Sequence, residues 1–205
     1  MIYGDRMRVL GFVFSARERG NCYYCVNYCL EKFREHGFET QLINAYDYVI
    51  KPCSHCNYEC FFKELEGREE RCPIKDDLPK IYNLMEKTDI LIFGIPCYAG
   101  HASGLYRAFS ERMASLGWSK IEKMLFNKLK GFIVVGNLSA WGDLTLHEVL
   151  VDFYNAKIPP EALLLQALEY GRSSLKGDLI EEPAVKKKLE WLVNRLIKKY
   201  KQLIS

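Results

Sequence analysis

The sequence predicts an α/β fold in which helices cover a doubly wound parallel sheet of five strands. Short apolar runs alternate with segments whose apolar residues recur at helical spacing. The run Val9–Phe14 is apolar and short, as in a strand that is buried on both faces. Three polar loops follow strand ends, where such sheets bind ligands. On this interpretation residues 1–205 form one domain, with a cysteine-rich insertion at 46–75 after the second strand.

Charge and length exclude several classes of function. The 29 basic and 26 acidic residues are scattered and leave a net charge of +3, which argues against nucleic acid and membranes as partners. The apolar run near the N-terminus is too short for a signal peptide or a membrane span, so a cytoplasmic location is predicted. Eight cysteines in such a chain indicate metal, redox chemistry or buried thiols before disulfides, which would fit a hyperthermophile.

The first strand, helix and second strand are predicted within residues 9–44. Val9–Phe14 is short and apolar and stops at Ser15, as an interior parallel strand does. From Asn21 to about His36 the apolar residues follow helical spacing. Thr40–Asn44 is the second strand and completes a strand–helix–strand unit.

Residues 46–72 follow no period and contain four cysteines, and so long an irregular connector usually has a function. After it, Asp76 and Asp77 are expected to cap a helix that has Pro79 in its first turn and ends by Lys87.

The second half of the chain shows the same alternation. Buried strands are predicted at Asp89–Ile95, Gly131–Val135 and Ala162–Ala167. The first of these breaks at Pro96, and Ser103 caps a helix to about Leu116. Another helix follows the loop 136–142, and a final surface helix runs from Pro183 to about Leu203 with its lysines in solvent.

Residues 15–22 connect the first strand to the first helix and are typical of an anion site. A loop of Ser, Arg, Gly and Asn aims backbone N–H groups, a hydroxyl and a guanidinium at a helix N-terminus. The candidate ligand-binding residues are Ser15, Arg17, Gly20, Asn21 and Cys22. A plain turn with an Asn cap is the structural alternative.

These residues resemble those of the flavodoxin-fold NAD(P)H-dependent FMN reductase and multimeric flavodoxin group, and particularly its iron–sulfur flavoprotein branch. The group's Ser-Pro-Arg-x-x-Gly-Asn-Thr/Ser loop is similar to Ser15-Ala16-Arg17-Glu18-Arg19-Gly20-Asn21-Cys22. Cys22 replaces a hydroxyl residue that would bind the FMN phosphate, and a thiol is a weaker donor. The resemblance implies a flavodoxin-like sheet of order 2-1-3-4-5 and FMN as cofactor.

Two further loops extend the resemblance. The group's second loop resembles Pro96-Cys97-Tyr98-Ala99-Gly100, which would lie against the isoalloxazine ring of FMN. A Gly-bearing loop lets the backbone approach a flat ring, and hydrogen bonds to the ring nitrogens tune its reduction. The third loop matches only at its glycines, and Asn137 and Gly142 are its candidates. An ordinary half-buried aromatic is the alternative for Tyr98, and an unreactive core thiol for Cys97.

Cys53, Cys56, Cys60 and Cys72 form the pattern C-x2-C-x3-C-x11-C, and four thiolates can hold an iron–sulfur cluster or a tetrahedral zinc ion. In the iron–sulfur flavoprotein branch a compact motif follows the second strand, and its last cysteine leads into a helix start similar to Cys72-Pro73-Ile74-Lys75-Asp76-Asp77. The third cysteine comes one residue late here, and the final gap is long. A 4Fe–4S cluster, zinc, and free or disulfide-bonded cysteines therefore stay as alternatives.

The resemblance implies a cytoplasmic FMN-dependent oxidoreductase linked to NAD(P)H or to a ferredoxin-like electron donor or acceptor. The redox chemistry would belong to the cofactor, and no residue is assigned as a catalytic acid or base. A homodimer or homotetramer is also implied. The alternatives are a cluster-free NAD(P)H:flavin or quinone reductase and a metal-stapled flavodoxin-like binding or sensing module.

Overall fold

The computed structural model describes residues 7–54, 56–68 and 72–204, apart from the side chains of Ser139 and Ala140; the first six residues lie outside this part. The strands in the described residues are β1 Arg8–Val13, β2 Glu39–Asn44, β3 Ile90–Tyr98, β4 His101–Ala102, β5 Leu129–Gly136 and β6 Glu161–Gln166. The α-helices there are α1 Asn21–Glu35, α2 Glu59–Leu65, α3 Leu78–Glu86, α4 Gly104–Glu111, α5 Trp118–Ile121, α6 Ser139–Val151 and α7 Pro183–Ile204. In this part of the chain no helix has the length and apolar character needed to cross a membrane.

Five of the strands form a parallel sheet in the order β2-β1-β3-β5-β6. This is the predicted order 2-1-3-4-5 of the five long strands, and the predicted fold class is confirmed. The strand order reverses between β1 and β3, whose last paired residues are Val13 and Gly94. A crevice therefore opens at their carboxyl ends, where doubly wound sheets bind ligands.

The sheet separates two hydrophobic cores, because alternate strand residues point to opposite faces. One core joins aromatic residues of β1, β3 and α4, among them Phe12, Phe93 and Phe109. The other lies between the sheet and the helices α1 and α7. Cys25 and Cys29 belong to the second core, as the helical spacing of α1 predicted.

Two glycines of the sheet allow α1 to lie close to it. A Cβ atom on Gly94 would come within 2.6 Å of Val26 Cγ2 and 3.2 Å of the Cys22 carbonyl oxygen. A Cβ on Gly11 would come within 2.6 Å of Val26 Cγ1. The first turns of α1 therefore pack directly on the sheet, and the N-terminus of α1 is placed beside the crevice.

Two predicted boundaries were wrong, and one helix was not predicted. β3 continues past Pro96 to Tyr98, because β4 supplies antiparallel partners for its last two residues, Cys97 and Tyr98. α6 begins at Ser139, so the expected loop 136–142 is mostly helix. The insertion contains the short helix α2, whose residues are all at least partly exposed and so give no core-facing period.

Candidate functional site

The first loop joins β1 to α1 at the crevice. The Ser15 side chain is buried, and its Oγ accepts a hydrogen bond from the Arg17 N–H at 3.1 Å. The N-cap of α1 is Gly20, no side chain caps this helix end, and its first turn has no acidic residue. The first N–H groups of α1 are thus available to an anion, as predicted for this loop.

The Arg17 side chain has a role that the sequence analysis missed. Its Nη1 donates to the Leu175 carbonyl at 2.9 Å and its Nη2 to the Ser174 carbonyl at 2.5 Å. These carbonyls belong to residues 171–179, which we call the closing segment. Arg17 therefore binds the closing segment over the first loop, and its guanidinium is not turned to an open ligand site.

Asn21 and Asn137 hold the same segment from two other sides. Asn21 Nδ2 donates to the Ser173 carbonyl at 3.3 Å, and Asn21 Oδ1 accepts from the Leu179 N–H at 3.1 Å. Asn137 Oδ1 accepts from the Ser174 N–H at 3.3 Å. Neither side chain serves as a simple cap or as an open ligand contact, because each satisfies backbone groups of the closing segment.

The closing segment itself is fixed to the start of α7. The Arg172 guanidinium contacts the carboxylates of Asp178 at 3.4 Å and Glu182 at 2.6 Å. Gly171 and Gly177 adopt left-handed backbone conformations with φ of 66° and 77°. The run of Gly, Ser and Asp in this segment was the available sequence signal, since these residues mark turns.

The Cys22 side chain does not face the anion site, and its assignment there is corrected. It is 3% exposed and lies in the core with Cys25 and Val26. Burial raises the pKa of the Cys22 thiol to about 12, although the nearby charge of Arg17 lowers it. Packing against the sheet therefore explains the thiol, and only the backbone N–H of Cys22 remains a candidate contact.

The second loop is a tight antiparallel hairpin. Ala99 and Gly100 form its turn with φ of 50° and 85°, the left-handed pair typical of a type I′ turn. Tyr98 is 40% exposed, and its Oη accepts a hydrogen bond from the Ala16 N–H at 3.3 Å. The hairpin and the first loop therefore meet at Tyr98. Cys97, beside it, is only half-buried.

The base of this hairpin is anchored to β1 and to α6. The Ser103 hydroxyl donates to the Phe14 carbonyl at 2.6 Å and accepts from the Tyr106 N–H at 3.2 Å, which confirms Ser103 as a helix cap. The Ala102 N–H donates to Glu148 Oε2 at 2.9 Å. The hairpin is thus fixed at the edge of the crevice.

The third loop is corrected at its glycines. Gly142 lies inside α6, and a Cβ there would come within 2.6 Å of Gln166 Nε2. A Cβ on Gly136 would also contact the Gln166 side chain. Both glycines therefore make room for Gln166 of β6, so Gly142 is not placed as a ligand contact. At this end of the sheet, the side chains of Trp141 and Leu144 on α6 are 51% and 61% exposed.

The four insertion cysteines lie near one another. Cys53 is exposed, while Cys56, Cys60 and Cys72 are partly buried. Desolvation raises the pKa of both Cys53 and Cys60, and the neighbouring thiolates of Cys56 and Cys72 raise it further. Within residues 7–54, 56–68 and 72–204 no three His, Cys, Asp or Glu side chains are placed to hold a metal ion.

A buried arginine that the sequence analysis missed lies against this group. Arg112 follows α4, and its side chain is 2% exposed. Its guanidinium forms an ion pair with Asp76 and donates to the Lys51 carbonyl at 3.3 Å and to Cys72 Sγ at 3.4 Å. Desolvation opposes the charge, but the bonds to Asp76 and Cys72 outweigh it, so the pKa of Arg112 is raised.

The two aspartates before α3 fix the insertion as well as the helix. Asp76 Oδ2 accepts from the Lys51 N–H at 2.9 Å, and Asp76 Oδ1 accepts from the Leu78 N–H at 3.2 Å. Asp77 Oδ2 accepts from the Val49 N–H at 3.0 Å. Of the two predicted caps, only the Asp76 carboxylate accepts from a backbone N–H of the helix start, while Asp77 Oδ1 accepts from Lys80 Nζ. Both carboxylates hold residues 49–51.

A family model described as NADPH-dependent FMN reductase matches residues 7–167. Two iron–sulfur flavoproteins of Methanocaldococcus jannaschii are similar to the chain. One is 32% identical over 148 residues, 72% of this chain and 72% of the relative; the other is 30% identical over 155 residues, 75% and 74%. A crystal structure of RosB with a bound 8-demethyl-8-formylriboflavin-5'-phosphate intermediate has a TM-score of 0.72 at 15% identity. The match covers 96% of this chain and 81% of RosB, and it shows a shared fold.

Proposed function

The chain belongs to the NADPH-dependent FMN reductase family, and we propose that it is an FMN oxidoreductase of the iron–sulfur flavoprotein type. The uncapped N-terminus of α1, at the point where the strand order reverses, is the observation on which the FMN site rests. Helix N-termini bind phosphate through free N–H groups and the helix dipole.

The phosphate of FMN would be held mainly by the backbone. The N–H groups of Asn21 and Cys22 begin α1, and the Ser15 hydroxyl still has a proton to donate after accepting from Arg17. The guanidinium of Arg17 adds positive charge nearby, since its charge is felt at Cys22. Its hydrogen bonds, however, keep the closing segment in place.

The hairpin at Tyr98, Ala99 and Gly100 would take the isoalloxazine ring. Its turn has only a methyl group and a hydrogen as side chains, so the backbone can approach a flat ligand closely. Bound FMN supplies the redox chemistry, accepting a pair of electrons and passing them on. The residues of this chain bind, orient and enclose it.

Cys53, Cys56, Cys60 and Cys72 are proposed as ligands of a 4Fe–4S cluster. Zinc needs its thiolates within about 2.3 Å of one ion, whereas a cluster is ligated at separate iron atoms. The four cysteine thiols of the insertion supply the donor set of such a cluster, and Cys53 and Cys60 are close enough to Cys56 and Cys72 to be affected by them. Among the described residues no three side chains are placed to hold a single metal ion, and this favours a cluster-free flavin or quinone reductase as the second candidate.

The electron donor and the assembly are further parts of the proposal. NAD(P)H or a ferredoxin-like protein would supply the electrons, and a homodimer or homotetramer would be the working form. A cytoplasmic location is also proposed, because cysteines that ligate a cluster must stay reduced, and a reducing compartment keeps them so.

The visible absorption spectrum of anaerobically purified protein tests the function. Flavin bands with an added broad absorption on their short-wavelength side, together with iron and sulfide in the protein, are expected. Flavin bands without iron would support the cluster-free reductase. A colourless protein that takes up no FMN would contradict both candidates.

The variant Arg17→Ala is expected to weaken FMN binding by about tenfold or more. It loses two charge-assisted bonds to the closing segment, each of which contributes on the order of 1 kcal/mol. Titration of the apo protein with FMN measures the effect. Arg19→Ala is the control, because Arg19 is an exposed residue of the same loop and contacts the Tyr23 ring instead. Equal affinities for the two variants would show that the closing segment does not support the site.

A further inference from the structure

A cavity of about 290 Å³ opens beside Cys72, the last of the insertion cysteines. Cys72 and Arg112 line it together with Tyr82, and Lys75 and Lys120 add positive charge to its wall. Cys72 is thus at the boundary between a basic cavity and the buried guanidinium of Arg112.

Arg112 joins both ends of the insertion. Lys51 precedes the first insertion cysteine, and Cys72 is the last; Arg112 donates to the carbonyl of one and to the Sγ of the other. Its ion-pair partner Asp76 also accepts from the Lys51 N–H. One side chain therefore determines where Cys72 lies relative to residue 51.

Burial of the Arg112 guanidinium costs desolvation free energy that packing alone does not explain. The side chains of Arg112 and Asp76 are 2% and 0% exposed, and a buried ion pair seldom gives more stability than apolar side chains of the same volume. Within the described residues, Arg112 Nε is buried and has no hydrogen-bond partner. The guanidinium is therefore not fully compensated, and it presents a donor and positive charge to the Cys72 sulfur.

We propose that Arg112 is a positioning residue for the cysteine ligands: it orients the Cys72 sulfur and raises the reduction potential of a cluster bound there. This inference rests on the proposed iron–sulfur function. A cation and an N–H donor beside a ligating sulfur stabilise the more negative, reduced form. The cluster would be reduced by one electron, and the reduced flavin or ferredoxin-type donor that supplies it would be oxidised by one electron.

Anaerobic potentiometric titration of the reconstituted protein tests the role of Arg112. For Arg112→Met we expect the ratio of reduced to oxidised cluster at a fixed potential to fall at least tenfold, a shift of about 59 mV to more negative potential. Asp76→Asn should move the potential in the opposite direction, because the carboxylate offsets the guanidinium. Lys120→Gln removes a charge from the same cavity without touching a cysteine and should leave the potential nearly unchanged.

The outcomes separate the inference from the function on which it rests. Wild-type protein that binds no iron would overturn both. Wild-type protein with a cluster whose potential is the same in Arg112→Met would overturn the inference alone, and so would equal shifts in Arg112→Met and Lys120→Gln. If Arg112→Met does not fold, the double variant Arg112→Met/Asp76→Asn removes both buried charges. Its potential is then expected to lie at least about 59 mV below that of Asp76→Asn, and equal potentials in these two variants would overturn the inference.

Discussion

Replacing Cys72 by Ser is expected to abolish iron incorporation and to leave FMN affinity unchanged. Four thiolates are needed to ligate the proposed cluster, so the loss of one opens it. Cys72 also accepts the bond from Arg112, which ties its sulfur to a buried side chain of the folded domain. The FMN loops follow β1 and β3 and do not include the insertion.

Iron and sulfide analysis of anaerobically purified Cys72→Ser protein measures the loss of iron. Titration with FMN measures its FMN affinity. Cys25→Ala is the matched control, because Cys25 is fully buried on the sheet-facing side of α1 and belongs to the core on that side of the sheet. It should lower the free energy of unfolding by about 1 kcal/mol or more while the iron content stays the same. Iron retained in Cys72→Ser would exclude the proposed ligand set.

The variant Gly94→Ala is expected to destabilise the protein and to impair FMN binding together. The new Cβ would come within 2.6 Å of Val26 Cγ2 and 3.2 Å of the Cys22 carbonyl, and a β-branched side chain in a helix has little freedom to move. Overpacking of this kind costs about 1–3 kcal/mol. It also displaces the first turn of α1, so FMN affinity should fall on the order of tenfold or more.

Urea unfolding and FMN titration measure the two effects of this change. Gly131→Ala is the control within the same sheet, because its Cβ would meet the ends of flexible side chains, Leu196 Cδ1 at 3.1 Å and Ile92 Cδ1 at 3.2 Å. It should cost stability without changing FMN affinity. A Gly94→Ala protein that binds FMN as tightly as the wild type would show that the phosphate does not depend on the N-terminus of α1.

The centre of the sheet could be predicted from the sequence because its strands are buried on both faces. Apart from Arg8 and Lys130, the residues of β1, β3 and β5 are apolar, and this pattern does not depend on the neighbouring loops. The helix cap at Ser103 and the buried face of α1 could also be predicted, because both patterns involve residues only a few positions apart in the sequence.

The roles of Arg17, Asn21 and Arg112 could not be predicted because their partners are remote in sequence. Arg17 binds a carbonyl 158 residues away, and Arg112 binds Cys72 across 40 residues. The sequence of the first loop alone does not indicate that the Arg17 guanidinium is already hydrogen-bonded to backbone carbonyls. Cys22 was misassigned for a related reason, since the close approach permitted by Gly94 turns it into the core.

The contacts between the first loop and the closing segment also set the order of events during synthesis. Leu175 and Leu179 are translated 158 residues after their respective partners Arg17 and Asn21. At about 5–20 residues per second, the ribosome needs roughly 8 to 30 seconds to cover that distance. Throughout this interval the nascent chain has the first loop without the segment that encloses it. Cofactor insertion is therefore expected to wait until the closing segment has been synthesised.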